Sequence, residues 1–238
     1  KIMALPKLNQ TPSYELTIPS TGEKLDYRPF LVKEQKILLL ALESQDEKNI
    51  LRTIRDTFKT CVLSECNVDK LKIFDIEFIF LQMRSKAVGE SAPLTFKCGK
   101  CEVDNDVSIP LSEINIEMKD DIVYDVAVTE QYNLKLGYPT FKQVIEATQP
   151  ENETQAELIF RTAKMCLDSL QTEDENILFA DESAEEIEEF FGSLTADQFN
   201  KIMEFTEEMP SIKYDCKFKC SKCNEDNEYN LKGIQDFF

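Results

Sequence analysis

The chain contains no histidine. That absence removes Ser–His–Asp and Cys–His nucleophile systems, imidazole-ligated metals and the usual general base. Neither common nucleotide cradle is present. There is no GxGxxG and no GxxxxGK followed by Ser or Thr, and Gly22-Glu23-Lys24 falls in a hairpin turn rather than a phosphate loop. Carboxylates are abundant, but among 45 Asp and Glu their closeness carries no information. The reading is therefore a non-enzymatic chain with no catalytic residue. No apolar run approaches the roughly 20 residues that a bilayer span needs. The longest, residues 37–42, is flanked by Lys36 and Glu43, so no membrane partner is expected. Residues 1–10 lack the apolar stretch of a signal peptide. Met3 is read as the start, with Lys1 and Ile2 left over from something upstream. The expected compartment is intracellular, where thiols stay reduced and paired cysteines more often bind metal than form disulfides.

Basic residues are missing altogether between Lys164 and Lys201, a stretch holding eleven carboxylates. The formal net charge is −18. Such a surface repels phosphate, which weighs against a nucleic-acid partner. It reads as a solvated helix face, or as a docking face for a basic partner. What the chain does have is enough apolar matter to fold. Its 238 residues are 42% hydrophobic and include 16 Phe, fitting one large domain or two small ones.

Alternation over residues 13–18 predicts a strand, residues 19–22 a turn, and residues 24–27 a returning strand. Helices are expected over 32–44 and 47–62, the second with Ile50, Leu51, Ile54 and Phe58 at helical spacing. Asp75 is read as the cap of a third helix that runs to Val88 and ends at Gly89. Residues 93–114 look β-like around a CxxC. Strands follow at 123–128 and 132–138, then helices at 140–147 and 151–170. Ser183 with Glu186 and Thr195 with Gln198 are capping boxes that open two more helices. Gly192 separates these two and Pro210 stops the second, after which residues 211–238 are again β-like. The expected class is α+β, mainly helical, with an N-terminal β-hairpin and a split four-cysteine zinc ribbon flanking a helical insertion. The expected organisation is 1–90 hairpin plus helices, 91–118 first half of the ribbon, 119–210 an α/β insertion, mostly helical and acidic, and 211–238 the second half.

One pattern occurs twice. Phe96-Lys97-Cys98-Gly99-Lys100-Cys101 is followed by Glu102-Val103-Asp104-Asn105, and Phe218-Lys219-Cys220-Ser221-Lys222-Cys223 by Asn224-Glu225-Asp226-Asn227. Each copy of FKCxKCxxDN leads into a short apolar piece, at 107–111 and 229–234. Zinc takes four ligands in a tetrahedron, and two cysteines two residues apart at a tight turn aim both sulfurs at one ion. Small Gly99 and Ser221 suit such a turn. Lys97, Lys100, Lys219 and Lys222 would offset the charge of a tetrathiolate, and Phe96, Phe218 and Tyr229 would hold the hairpins together. The expected site is Cys98, Cys101, Cys220 and Cys223 around one structural Zn2+, closed and without a catalytic position. Sites shared between subunits, disulfides and free thiols remain as alternatives, and an oligomer is left open. Cys216 corresponds to Leu94 in the first copy and reads as a core residue. Cys61, Cys66 and Cys166 read as buried thiols.

The stretches Met3-Ala4-Leu5-Pro6-Lys7-Leu8, Pro19-Ser20-Thr21-Gly22-Glu23-Lys24 and Tyr27-Arg28-Pro29-Phe30-Leu31-Val32-Lys33-Glu34 resemble the baseplate hub proteins of T4-like contractile-tailed phages. Phe74-Asp75-Ile76-Glu77, Arg84-Ser85-Lys86-Ala87-Val88-Gly89-Glu90 and the paired cysteine segments agree with that, so the resemblance spans nearly the whole chain. It implies a viral protein made in the bacterial cytoplasm and acting in construction of the tail hub, as subunit or assembly factor. It implies protein partners, either the tape measure or other hub proteins, and carries over no catalytic residue. Arg28 becomes a candidate contact, against the plain reading of an exposed Arg at a strand end. The alternative function is a zinc-ribbon nucleic-acid-binding regulator.

Overall fold

The computed structural model describes residues 11–114, 116, 118, 124–147 and 153–233. The expected start at Met3, the resemblance over residues 3–8, the strand start at 123, the helix start at 151 and the tail after 233 lie outside them.

Strands β1 (Tyr14–Thr17) and β2 (Lys24–Tyr27) form the first hairpin, turned at Gly22 with φ 71°. Helices α1 (Val32–Glu43), α2 (Glu47–Cys61) and α3 (Ile73–Val88) follow. Asp46 caps α2 by accepting from the Asn49 amide at 3.1 Å, and Ile54, Phe58 and Cys61 then fall on one buried stripe. Gly89 ends α3 at φ 140°, a conformation that a side chain resists. Asp75 is not the cap of α3 but its third residue, reaching back to the Lys72 amide at 3.1 Å.

Two further hairpins come next and last in the chain: β3 (Ser91–Lys97) with β4 (Asp104–Pro110), and β9 (Lys213–Lys219) with β10 (Asp226–Lys232). Between them lie β5 (Asp125–Ala127), β6 (Asn133–Leu136), α4 (Phe141–Ala147), α5 (Gln155–Met165), β7 (Leu167–Gln171), β8 (Asn176–Leu178), α6 (Ala184–Gly192) and α7 (Ala196–Glu207). Capping boxes open four of these helices: Thr140 with Gln143, Thr154 with Glu157, Ser183 with Glu186 and Thr195 with Gln198.

The class is α+β, but the expectation of a mainly helical chain is overturned. Less than half of the described residues are helical, and ten strands make four small antiparallel sheets. The largest, in the order β5-β6-β7-β8, occupies the segment read as mostly helical. The error has a local cause. Ala163, Leu167 and Leu170 keep a helical spacing that suggests one helix to residue 170. Instead α5 stops at Cys166, and Leu167 and Ser169 alternate into the interior while β7 pairs with β6. Thr172 then closes the turn into β8, its hydroxyl accepting from the Glu175 amide at 2.9 Å.

Three apolar clusters meet on α3. Ile76, Ile79, Phe80 and Met83 pack with the first hairpin, α2 and Phe141. Phe74 enters the cluster of the four-stranded sheet with Leu134, Phe191, Ile202 and Phe205. Leu81 packs with Ala92, Ile109, Ile212, Cys216 and Leu231, from both later hairpins. Each fully buried Phe, Leu or Ile contributes about 1.5–3 kcal/mol. Those later hairpins are thus anchored at their bases, leaving their tips to face each other.

Candidate metal centre

Each cysteine pair sits at a hairpin tip. Cys98 and Cys101 lie between β3 and β4, and Cys220 and Cys223 between β9 and β10. The two tips are built alike. The Cys98 amide donates to the Val103 carbonyl at 2.9 Å, and the Cys220 amide to the Glu225 carbonyl at 2.9 Å. The Glu102 and Asn224 amides donate back to the Cys98 and Cys220 carbonyls at 2.9 and 3.0 Å. This closure needs one left-handed residue per tip, supplied by Glu102 at φ 57° and Asn224 at φ 56°. It also turns the amides of Lys100 and Lys222 toward the sulfurs of Cys98 and Cys220, at 3.5 and 3.4 Å. Gly99 is less constrained than its place in the turn suggests, since an added Cβ would lie in ordinary contact, 3.7 Å from Asn227 Oδ1.

The four sulfurs lie within 4.8 Å of one another, although 118 residues separate Cys101 from Cys220. Cys98 Sγ is 3.6 Å from Cys223 Sγ, and Cys101 Sγ is 3.6 Å from Cys220 Sγ. A tetrahedron with metal–sulfur bonds of about 2.3 Å has sulfur–sulfur edges of roughly 3.8 Å. The cluster therefore fits a single metal ion. Aromatic rings align the hairpins beneath it: Phe96 stacks 5.8 Å from Phe218 and lies tilted, 4.9 Å from Tyr229, whose hydroxyl donates to the Lys97 carbonyl.

Backbone amides at the tips act directly on two of the thiols. The amides of Cys223 and Lys222 pull the Cys220 thiol down to about 6, and those of Cys101 and Lys100 lower Cys98. Cys223 goes the other way. Its hydrogen bond from Glu225 lowers it, but burial and the three neighbouring thiols push it up to about 12. Four thiolates this close repel one another unless a metal neutralises them. Of the nearby lysines, Lys100 crosses to Glu225 at 2.7 Å and Lys219 meets Asp226 at 3.7 Å.

The other cysteines stand apart from this cluster. Cys216 is buried among Ile212, Leu231 and Ile109, and burial raises its thiol. Burial likewise pushes Cys61 up to about 11 and Cys166 up to about 12, leaving both as inert thiols. Cys66 is half-buried against the first cluster. Arg28 is neither a free surface contact nor an exposed strand end. Its side chain is 12% exposed, donating to Glu34 at 3.0 Å and to the Pro29 carbonyl at 2.9 Å.

Two site residues escaped the sequence reading: Asn105 and Asn227, the last residues of the repeat. Asn105 Oδ1 accepts from the Ser221 amide at 2.8 Å, and Asn227 Oδ1 from the Gly99 amide at 2.9 Å. Their presence in both copies was the signal. No helix among the described residues is long and apolar enough to cross a membrane.

Compared with known proteins, residues 11–238 match the family described as T4 bacteriophage base plate protein. No curated protein and no solved structure gives a significant match.

Proposed function

The chain belongs to the T4 bacteriophage base plate protein family, and from that premise we propose that it is a non-enzymatic protein of the baseplate hub, either a hub component or a chaperone of hub assembly. The family match over residues 11–238 carries this reading. Its partners are other baseplate hub or tape-measure proteins, and its places of action are the host cytoplasm during assembly and the tail baseplate. One structural Zn2+ on Cys98, Cys101, Cys220 and Cys223 fixes the hairpin tips, and the sulfur spacing supports a shared ion over free thiols. The segments 1–90, 91–118, 119–210 and 211–238 serve as its working divisions, the second and fourth forming a split zinc ribbon.

A partner-binding role is supported by α1. Leu38 and Ala41 face inward, but Val32, Ile37, Leu39 and Leu40 are exposed, Val32 at 81%. The run over residues 37–42 is apolar all round the helix, and apolar surface left exposed in this way marks a contact site. The nucleic-acid alternative draws less support, because Lys100 and Lys219 are engaged by carboxylates on a chain of net charge −18.

The test is co-purification of the tagged protein from infected cells, with identification of what it retains. Baseplate proteins retained by the native chain and lost from a Leu39→Glu, Leu40→Glu variant of unchanged melting temperature are expected. Tight DNA binding at physiological salt, without baseplate proteins, would sink the proposal.

A further inference from the structure

Asn105 and Asn227 are related by the repeat, and each works on the knuckle it does not belong to. Asn105 follows the first knuckle in the chain, yet its Oδ1 accepts from both the amide and the hydroxyl of Ser221 in the second, at 2.8 and 3.0 Å. Its Nδ2 donates to the Val103 carbonyl of its own hairpin at 2.8 Å and lies 3.8 Å from Cys220 Sγ. Asn227 mirrors this. Its Oδ1 accepts from the Gly99 amide of the first knuckle, while its Nδ2 donates to Glu225 of its own hairpin at 2.9 Å and lies 3.7 Å from Cys98 Sγ.

The primary amide is the side chain this geometry needs. One end must accept from a backbone N–H, and the other must donate twice, to a carbonyl and to a sulfur. Bonding to its own hairpin fixes the rotamer, and the remaining bonds then set the height and direction of the opposite cysteine. Asp is nearly isosteric and keeps the acceptor. It loses both donations, however, and turns a negative oxygen toward a carbonyl and a thiolate. Asn105 is itself buried, so water cannot replace what it gives.

We propose that Asn105 and Asn227 are reciprocal positioning residues of the metal centre, each holding the opposite cysteine pair toward the ion. This rests on the zinc reading of the site and adds to it the groups that orient the ligands. Outer-shell partners of this kind change metal affinity by about 10- to 100-fold.

The experiment uses the full chain with Asn105→Ala, Asn105→Asp and the same two changes at Asn227. Zinc affinity is read by competition with a chromophoric chelator, and amide exchange at Gly99 and Ser221 is read by NMR. Ala variants are expected to weaken zinc roughly 10-fold and Asp variants roughly 100-fold. Asn105 variants should deprotect Ser221 and spare Gly99, and Asn227 variants should do the reverse. A space-filling role predicts the opposite order, with isosteric Asp milder than Ala. That order, or loss of protection confined to the mutated residue's own knuckle, overturns the proposal. Should the Asn105 variants fail to fold, the half-buried Asn227 pair gives the same comparison. If the wild-type chain holds no zinc, the zinc reading falls separately. Exchange at Ser221 and Gly99 without metal then decides the bracket alone, crossed deprotection supporting it and its absence ending it.

Discussion

The carboxylate of Asp75 accepts from both the amide and the hydroxyl of Ser20, at 2.9 and 2.6 Å, across 55 positions of chain. It is fully buried, and it also accepts from the Lys72 amide at 3.1 Å. One side chain thus ties the turn of the first hairpin to the start of α3. Asp75→Ala leaves these part-buried donors without their acceptor and is expected to cost about 2–4 kcal/mol, read by urea unfolding. Ser20→Ala should cost less, since its amide keeps its acceptor. Equal stability of Asp75→Ala and wild type would show the contact to be dispensable.

Purified protein is expected to carry about one zinc per chain. Cys98→Ser and Cys220→Ser should each lose it, because three thiolates leave an incomplete shell. Cys216→Ala should keep it, since Cys216 sits in the apolar cluster below. Metal analysis of the three variants decides, and full zinc in both Ser variants would refute the ligand set.

Chelation tests what the metal does for the fold. The tips close a loop of 118 residues, and metal binding that needs the folded site becomes folding energy. Even 5 kcal/mol of such linkage would lower Tm by roughly 10–20 °C, at about 2–4 °C per kcal/mol. Loosening and aggregation are expected ahead of full unfolding, because the cluster around α2 and α3 needs no metal. An unchanged Tm after verified zinc removal would make the site peripheral.

Glu34 gives a pH dependence of defined sign. Burial alone would raise its carboxyl, but hydrogen bonds from Arg28 and the Leu31 amide, with the Arg28 charge and Lys33, outweigh burial and hold it below the usual range. A depressed folded value means that the unfolded chain binds its proton first as pH falls. The stabilisation is therefore complete above about pH 5 and disappears as pH drops through 4 toward the folded value. Glu34→Gln should be less stable than wild type at pH 7, with the gap narrowing in acid. A gap independent of pH would mean that the charge at Glu34 is immaterial.

The tip architecture was legible in the sequence because a duplicated motif with fixed ligand spacing constrains geometry without reference to the rest of the chain. Helix starts marked by Ser183 with Glu186 and Thr195 with Gln198 were legible for a similar reason, since a capping box is a local bond pattern. The four-stranded sheet was legible only in half. The strands expected over 123–128 and 132–138 contain β5 and β6, but β8 has three residues, too few for alternation to register, and β7 exists through pairing with β6 from across the chain. Arg28 was misjudged because burial of a charge depends on a partner, and Glu34 lies six positions on, beyond any local pairing rule. Asn105 and Asn227 were visible as letters of the repeat, but their crossed bonds exist only once the hairpins meet.

Synthesis order gives the split arrangement a cost in time. The first tip leaves the ribosome 118 residues before Cys220. At about 5–20 residues per second, that is an interval of roughly 6–24 s. Throughout it the inward sides of Ala92, Phe96 and Ile109 await Ile212, Phe218 and Leu231, the residues that will cover them. Two thiols wait exposed beside them, able to hold a metal only loosely or to be captured by the wrong partner. A nascent chain of this design keeps the apolar face of its first tip uncovered until its second half has been made.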